Sequence, residues 1–269
     1  MTLNLLQTIF VVFGTALLPF FPLLYLQGQW VRRKIGVLPG AAGDTRGRVG
    51  GGERSVKLLV IGESTVAGLG ARTHETALAG QFSFFLSQAL DSTVEWLAIG
   101  KNGVTARRTI EELVPLIPEN EHFDFVLLGV GGNDVLKVSS PKKWRRDMLE
   151  LIGIMRKRYP NCGIFMTNAP AVHLSPVLPH PIKGLLGGLS KMHDLNTKEF
   201  TRDMEKIYYF HRPTEVPHDF WADGIHPSEA GYRLWSERMV RFFTENYSWP
   251  YPNTDRSDSN NSCEDIRNG

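Results

Sequence analysis

Residues 56–70 read VKLLVIGESTVAGLG, and this stretch decides the fold. The run 56–61, broken only by Lys57, has no helical spacing and enters a Gly-rich turn. That is the pattern of a strand buried on both faces and ending sharply. Runs of the same kind recur at 94–99 (VEWLAI), 123–130 (FDFVLLGV) and 163–167 (GIFMT), with 207–210 (IYYF) as a fifth. Between them 75–90, 105–116, 141–158 and 189–204 carry helix-like apolar spacing, and Pro227 reads as the first residue of a last helix over 228–245. This alternation predicts a flavodoxin-like, three-layer α/β/α domain with a central parallel sheet. Ligands in such sheets bind beyond the carboxyl ends of the strands.

Composition narrows the function classes. Of 269 residues, 42% are apolar and 22% charged, which fits a globular domain. A net charge of +2 leaves no concentrated basic face, so a nucleic-acid partner is not expected. Only Cys162 and Cys263 occur, without a C-x-x-C or zinc spacing, and Cys162 reads as an inert core thiol. His173, His180, His193, His211 and His218 show no ligand spacing either, so no metal site is expected. The basic run Lys142, Lys143, Arg145 and Arg146 reads as a solvated helix face.

The N-terminus departs from these averages. No charged side chain occurs over 2–31, and 3–26 is mostly Leu, Phe, Val, Ile and Tyr. At ~1.5 Å per residue such a helix reaches about 36 Å, enough for a hydrocarbon core of roughly 30 Å. Pro19 and Pro22 are expected to kink it or end it early. Residues 1–31 therefore read as a retained transmembrane anchor, since no basic residue precedes the run as in a signal peptide. Arg32, Arg33 and Lys34 follow at once, which places the domain on the cytoplasmic side, the periplasmic or extracellular side being the alternative. Residues 32–55 read as a basic Gly-rich linker, 56–248 as the folded domain, and 249–269 as a disordered tail.

Four loops carry chemistry. Ser64 stands at the exit of the first strand beside Gly62, where a sharp turn exposes a hydroxyl. Gly103 follows the second strand and offers a bare backbone N–H. Gly131-Gly132-Asn133-Asp134 follows the third, with an amide aimed into the crevice. Asp223-Gly224-Ile225-His226 precedes the last helix, and a carboxylate three residues before an imidazole can orient it. Each alone reads as a turn or a cap. Together they supply a nucleophile, a base, an orienting carboxylate and oxyanion donors.

In these blocks, taken in this order, 56–246 resembles the SGNH/GDSL hydrolases. The resemblance implies Ser64 as nucleophile, His226 as general base and Asp223 as its partner. It also implies an oxyanion hole from the N–H groups of Ser64 and Gly103 and the Asn133 side-chain amide. Glu63 and Thr65 depart from the common Gly-Asp-Ser-Leu of the first block. The implied activity is hydrolysis of acyl esters without a cofactor. The anchor, together with the apolar, Pro-rich stretch 169–189, favours a lipid ester such as a lysophospholipid. An O-acetyl-saccharide deacetylase or a thioesterase would use the same parts, and a non-catalytic anchored binding module is the reading from another class.

Overall fold

Along β2 (Ser55–Gly62) the side chains divide between two cores. Leu59 and Ile61 enter one, Leu58 and Val60 the other, and all four are fully buried. β4 (Phe125–Gly129) divides likewise, Val126 and Leu128 against Phe125 and Leu127. This two-residue period is what a strand covered on both faces requires. The computed structural model describes residues 1–168 and 170–247; the expected tail lies outside them.

Six strands form one sheet in the order β1-β3-β2-β4-β5-β6. β3 (Thr93–Gly100), β5 (Gly163–Met166) and β6 (Ile207–Tyr209) run parallel with β2 and β4. One face is covered by α3 (Leu78–Leu90) and α8 (Glu229–Asn246), through Phe82, Leu86, Tyr232 and Phe243. The other is covered by α6 (Pro141–Arg158) and α7 (Ile182–Thr201), through Trp144, Met148, Met155 and Phe200. Burying each such side chain is worth about 1.5–3 kcal/mol, so the two cores carry the domain.

Several expectations change. The linker reading fails at its C-terminal part, where β1 (Arg46–Val49) pairs antiparallel with β3, Arg46 opposite Leu97 and Val49 opposite Val94. The sheet is therefore mixed at this edge, and the domain begins before residue 56. Ala41 and Ala42 are also pinned, donating to the carbonyls of Ala67 and Arg72. The expected helix over 105–116 is a three-residue α4 (Ala106–Arg108), a wide turn at Thr109–Leu113 and a tight one at Val114–Leu116. Pro115 has no N–H to continue the ladder. α7 begins at Ile182, so the last eight residues of the expected Pro-rich loop are helix. Ser228 caps α8, its hydroxyl accepting the Gly231 N–H, so that helix begins two residues after Pro227.

At the N-terminus α1 (Leu3–Leu17), one tight turn at Leu18–Phe20 and α2 (Phe21–Ile35) form a helix of 33 residues, with mean hydropathy 2.2 over its most apolar window. The prolines do not end it, because each sits in the first turn of a new segment, where its missing N–H costs nothing. It is long and apolar enough to cross a membrane. One face touches the domain at both ends. Leu6 is buried and Gln7 Oε1 accepts the Lys142 N–H; Val31 is buried and Gln27 Nε2 donates to the His180 carbonyl. Val12, Phe13, Leu18, Phe21, Leu23 and Leu26 point outward.

Candidate active site

Three strands end at one level. Gly62 of β2 lies opposite both Gly100 of β3 and Gly129 of β4. The turn 63–70 folds back over these ends, and the glycines make room for it. A Cβ on Gly100 would lie 2.2 Å from the Ala67 nitrogen, and one on Gly129 would lie 2.6 Å from Val66 Cγ2. Ser64 rides on this turn, 7% exposed. The Tyr232 hydroxyl donates to the Leu69 carbonyl at 2.6 Å and fixes the turn's far end to α8.

The histidine loop meets the same turn. A Cβ on Gly70 would strike the Pro227 carbonyl at 2.2 Å. Here Asp223 Oδ2 lies 2.8 Å from His226 Nδ1, while Asp223 Oδ1 accepts the N–H groups of Ile225 and His226 at 2.8 and 2.7 Å. Burial alone would push the Asp223 carboxyl up. The bonds from the His226 ring and from both backbone groups outweigh it, so the carboxyl lies below its ordinary value. An ionised Asp223 holding Nδ1 leaves Nε2 as the working nitrogen.

α5 (Gly132–Leu136) carries Asn133. Its partner is Glu63, whose contact was not foreseen. The Glu63 carboxylate accepts the Gly132 N–H at 2.6 Å, the Asn133 N–H at 2.8 Å and Asn133 Nδ2 at 2.6 Å. An amide has two donors, so one N–H of Nδ2 holds the side chain and the other remains to serve a ligand. The departure from the common first-block residue thus sits where the Asn133 amide is held. Its signal in the sequence was a carboxylate at the end of a buried strand, which must find donors.

Gly103 has φ +81, and its carbonyl accepts Lys137 Nζ at 2.6 Å, tying the second block to the end of α5. Asp134, fully buried, accepts the Ala106 N–H at 2.8 Å and the Ser139 hydroxyl at 3.1 Å. Burial pushes its carboxyl above the ordinary range. Asp134 and Lys137 thus join the second and third blocks; the sequence named Asp134 within the third block without a role, and did not point to Lys137.

Beyond the ends of β2, β4 and β5 lies a cavity of about 120 Å³, its wall largely apolar, with Thr65, Val130, Leu178, Phe220 and Trp235 among its residues. The loop 170–181 forms one side, through Pro170, Val172 and Leu178. Other titratable groups have structural roles. His193 stacks on Trp144 at 5.0 Å and burial pushes it down to about 4. Burial pushes the Cys162 thiol up to about 11, which leaves it unreactive near neutrality. Lys143 and Arg146 pair with buried Asp147, and Arg145 with Glu199. Among the described residues no group of three or more His, Cys, Asp or Glu is placed to hold a metal ion.

Burial raises the Glu63 carboxyl to about 7, against the three bonds that favour its charged form. A pH dependence follows. The proton is bound more tightly folded than unfolded, so folding stability falls by about 3 kcal/mol as pH rises from about 4.5 to about 7. Asn133, in contrast, is best held by the ionised form, because a protonated carboxyl points a donor at a donor. Glu63→Gln carries that mismatch at every pH. Its turnover on a wild-type substrate is expected well below wild type at pH 8, with the gap closing below pH 7. Both proteins keep His226, so the ratio of their pH profiles isolates Glu63; a constant ratio would remove this role.

The fold and the loops at its strand ends define the class, a hydrolase of mixed α/β fold. The chain belongs to the GDSL-like Lipase/Acylhydrolase family, whose model matches residues 60–234. Among solved structures it is similar to a carbohydrate acetylesterase from Sinorhizobium meliloti, at 18% identity over 72% of this chain and 100% of that one, TM-score 0.54. It is also similar to the psychrotrophic esterase EstA from Pseudoalteromonas, at 17% identity over 70% and 97%, TM-score 0.53. A family two carbohydrate esterase from Clostridium thermocellum, an active-site mutant, matches at 16% identity and TM-score 0.50, over 73% of this chain and 65% of that one. At these identities the likeness is one of fold. No match is found among curated proteins.

Proposed function

We propose that the protein is a membrane-associated serine esterase acting on esters with an apolar acyl chain, a lysophospholipid being the lipid that fits this description. The observation that carries the reading is the Asp223–His226 pair, facing the Ser64 turn across strand ends that also present Gly103 and Asn133. In this mechanism His226 Nε2 takes the Ser64 hydroxyl proton while Oγ attacks the ester carbonyl carbon. The carbonyl electron pair moves to oxygen, which the N–H groups of Ser64 and Gly103 and the Asn133 amide stabilise. The intermediate collapses, the C–O bond to the alcohol breaks, and His226 returns the proton to the departing oxygen. Water, deprotonated by His226, then hydrolyses the acyl-Ser64 ester by the same steps in reverse order.

The apolar cavity supports an acyl chain over an acetyl group. Carbohydrate esterases share the fold, so O-acetyl saccharides are the competing substrate class. With full-length protein in detergent, p-nitrophenyl esters of rising chain length are expected to show kcat/KM increasing from acetate to octanoate. Preference for acetate, with release of acetate from an acetylated xylan, would favour the deacetylase reading. No turnover of any ester or thioester would leave the binding module.

The outward apolar face of the N-terminal helix supports attachment to a bilayer, and Arg32, Arg33 and Lys34 at its C-terminal end favour a cytoplasmic domain. In a bacterial host, a C-terminal fluorescent fusion is expected to glow and a C-terminal alkaline phosphatase fusion to stay inactive. The reverse pattern would put the domain outside. Loss of the first thirty residues from the mature chain would make the helix a signal sequence.

A further inference from the structure

Besides the two cores that face the sheet, a third apolar cluster lies outside them. It contains Val31 of α2, Val135 of α5, and Val172 and Leu178 of the loop 170–181, with Ile182 and Ile225 packed against it. Its members sit beside the chemistry: Val135 is two residues from Asn133, and Ile225 immediately precedes His226. Val172, Leu178 and Ile225 also line the cavity, so they form a wall with the pocket on one side and α2 on the other. The loop is held from both directions. Toward the site, the Ser175 hydroxyl donates to the Gly224 carbonyl at 2.7 Å, and the Val177 side chain fills the space where a Gly224 Cβ would stand. Toward the helix, Gln27 Nε2 donates to the His180 carbonyl at 2.9 Å, and Val31 is only 5% exposed. Gln27 is among the few polar residues of the apolar span, and its amide is turned inward onto this loop.

We propose that Gln27 and Val31 are specificity-determining residues: the C-terminal half of α2 holds the 170–181 wall and thereby sets the acyl chain the pocket accepts. The helix that attaches the protein to a bilayer is then also a structural part of its active site. Removing it changes chain-length preference rather than only location. This inference rests on the acyl-esterase reading, but its structural half is measurable without it.

The test uses full-length protein in detergent micelles, with Val31→Asp and Gln27→Leu compared with wild type on p-nitrophenyl acetate and octanoate. Both variants are expected to raise KM for octanoate about tenfold, the equivalent of about 1.4 kcal/mol, while acetate turnover stays within about twofold. Amide hydrogen exchange is expected to speed up over 170–181 and to remain unchanged in β2 and α8. Should Val31→Asp fail to fold, Val31→Ala removes the contact without adding a charge and is expected to shift both readouts in the same direction. Octanoate KM unchanged in the variants, or acetate and octanoate activity falling in parallel, would overturn the proposal. If wild type hydrolyses neither ester, the esterase reading fails by itself, and unchanged exchange over 170–181 would then sink this one separately.

Discussion

Ser64→Ala and His226→Ala are each expected to lower kcat on an acyl ester by about 10⁶-fold, and the double variant by no more. The nucleophile has no function without its base, nor the base without its nucleophile, so the two losses do not add. Asp223→Asn is expected to cost about 10⁴-fold. An amide can still hold Nδ1, but it stabilises the wrong tautomer and offers no charge to the imidazolium. All three variants should fold. The Ser64 hydroxyl stands on a turn fixed by its own backbone and by Tyr232, and no core packing passes through it. Unfolding midpoints of the variants check this, and the turnover comparison checks the mechanism. A correctly folded Ser64→Ala protein with wild-type activity would end the serine reading.

Asn133→Ala is expected to lower kcat by about 10²–10³, roughly 2.7–4 kcal/mol of transition-state stabilisation, with little change in KM. The amide is set before substrate arrives, because Glu63 holds one of its two N–H groups. In the proposed mechanism Glu63 acts through this contact and the two backbone bonds beside it. Glu63→Gln and Asn133→Ala combined should therefore cost little more than Asn133→Ala alone, a coupling that a double-mutant cycle measures directly. Additive losses would separate Glu63 from the oxyanion site. A rise in KM alone for Asn133→Ala would make Asn133 a substrate-binding group instead.

The parts of the molecule that were legible beforehand share a physical property: their signal is local. β2 and β4 are buried on both faces, so an unbroken apolar run announces them, and α6 carries its apolar stripe at helical spacing within its own eighteen residues. The spacing of Asp223 and His226 is likewise short enough for one turn to bring them together. Ser64, Gly103 and Asn133 were legible as a set because parallel strands deliver their following loops to one edge, whatever the helices between them do.

What only the tertiary structure decided depends on residues far apart. β1 reads RGRV, with no apolar period, and becomes a strand because β3 supplies an edge for it to pair with. Glu63 is a departure from a motif until α5, about seventy residues later, brings three N–H groups to its carboxylate. Asp134 and Lys137 gain their roles only when α5 and the Gly103 loop lie side by side. The N-terminal helix is apolar nearly all round, so composition alone cannot say which side faces the domain. Packing selects the face carrying Gln7, Gln27 and Val31, because the domain offers those amides partners and a hydrocarbon chain does not. A sequence determines by itself what neighbours within a turn or a strand can do; contacts across the fold are decided where a buried polar group must find its partner.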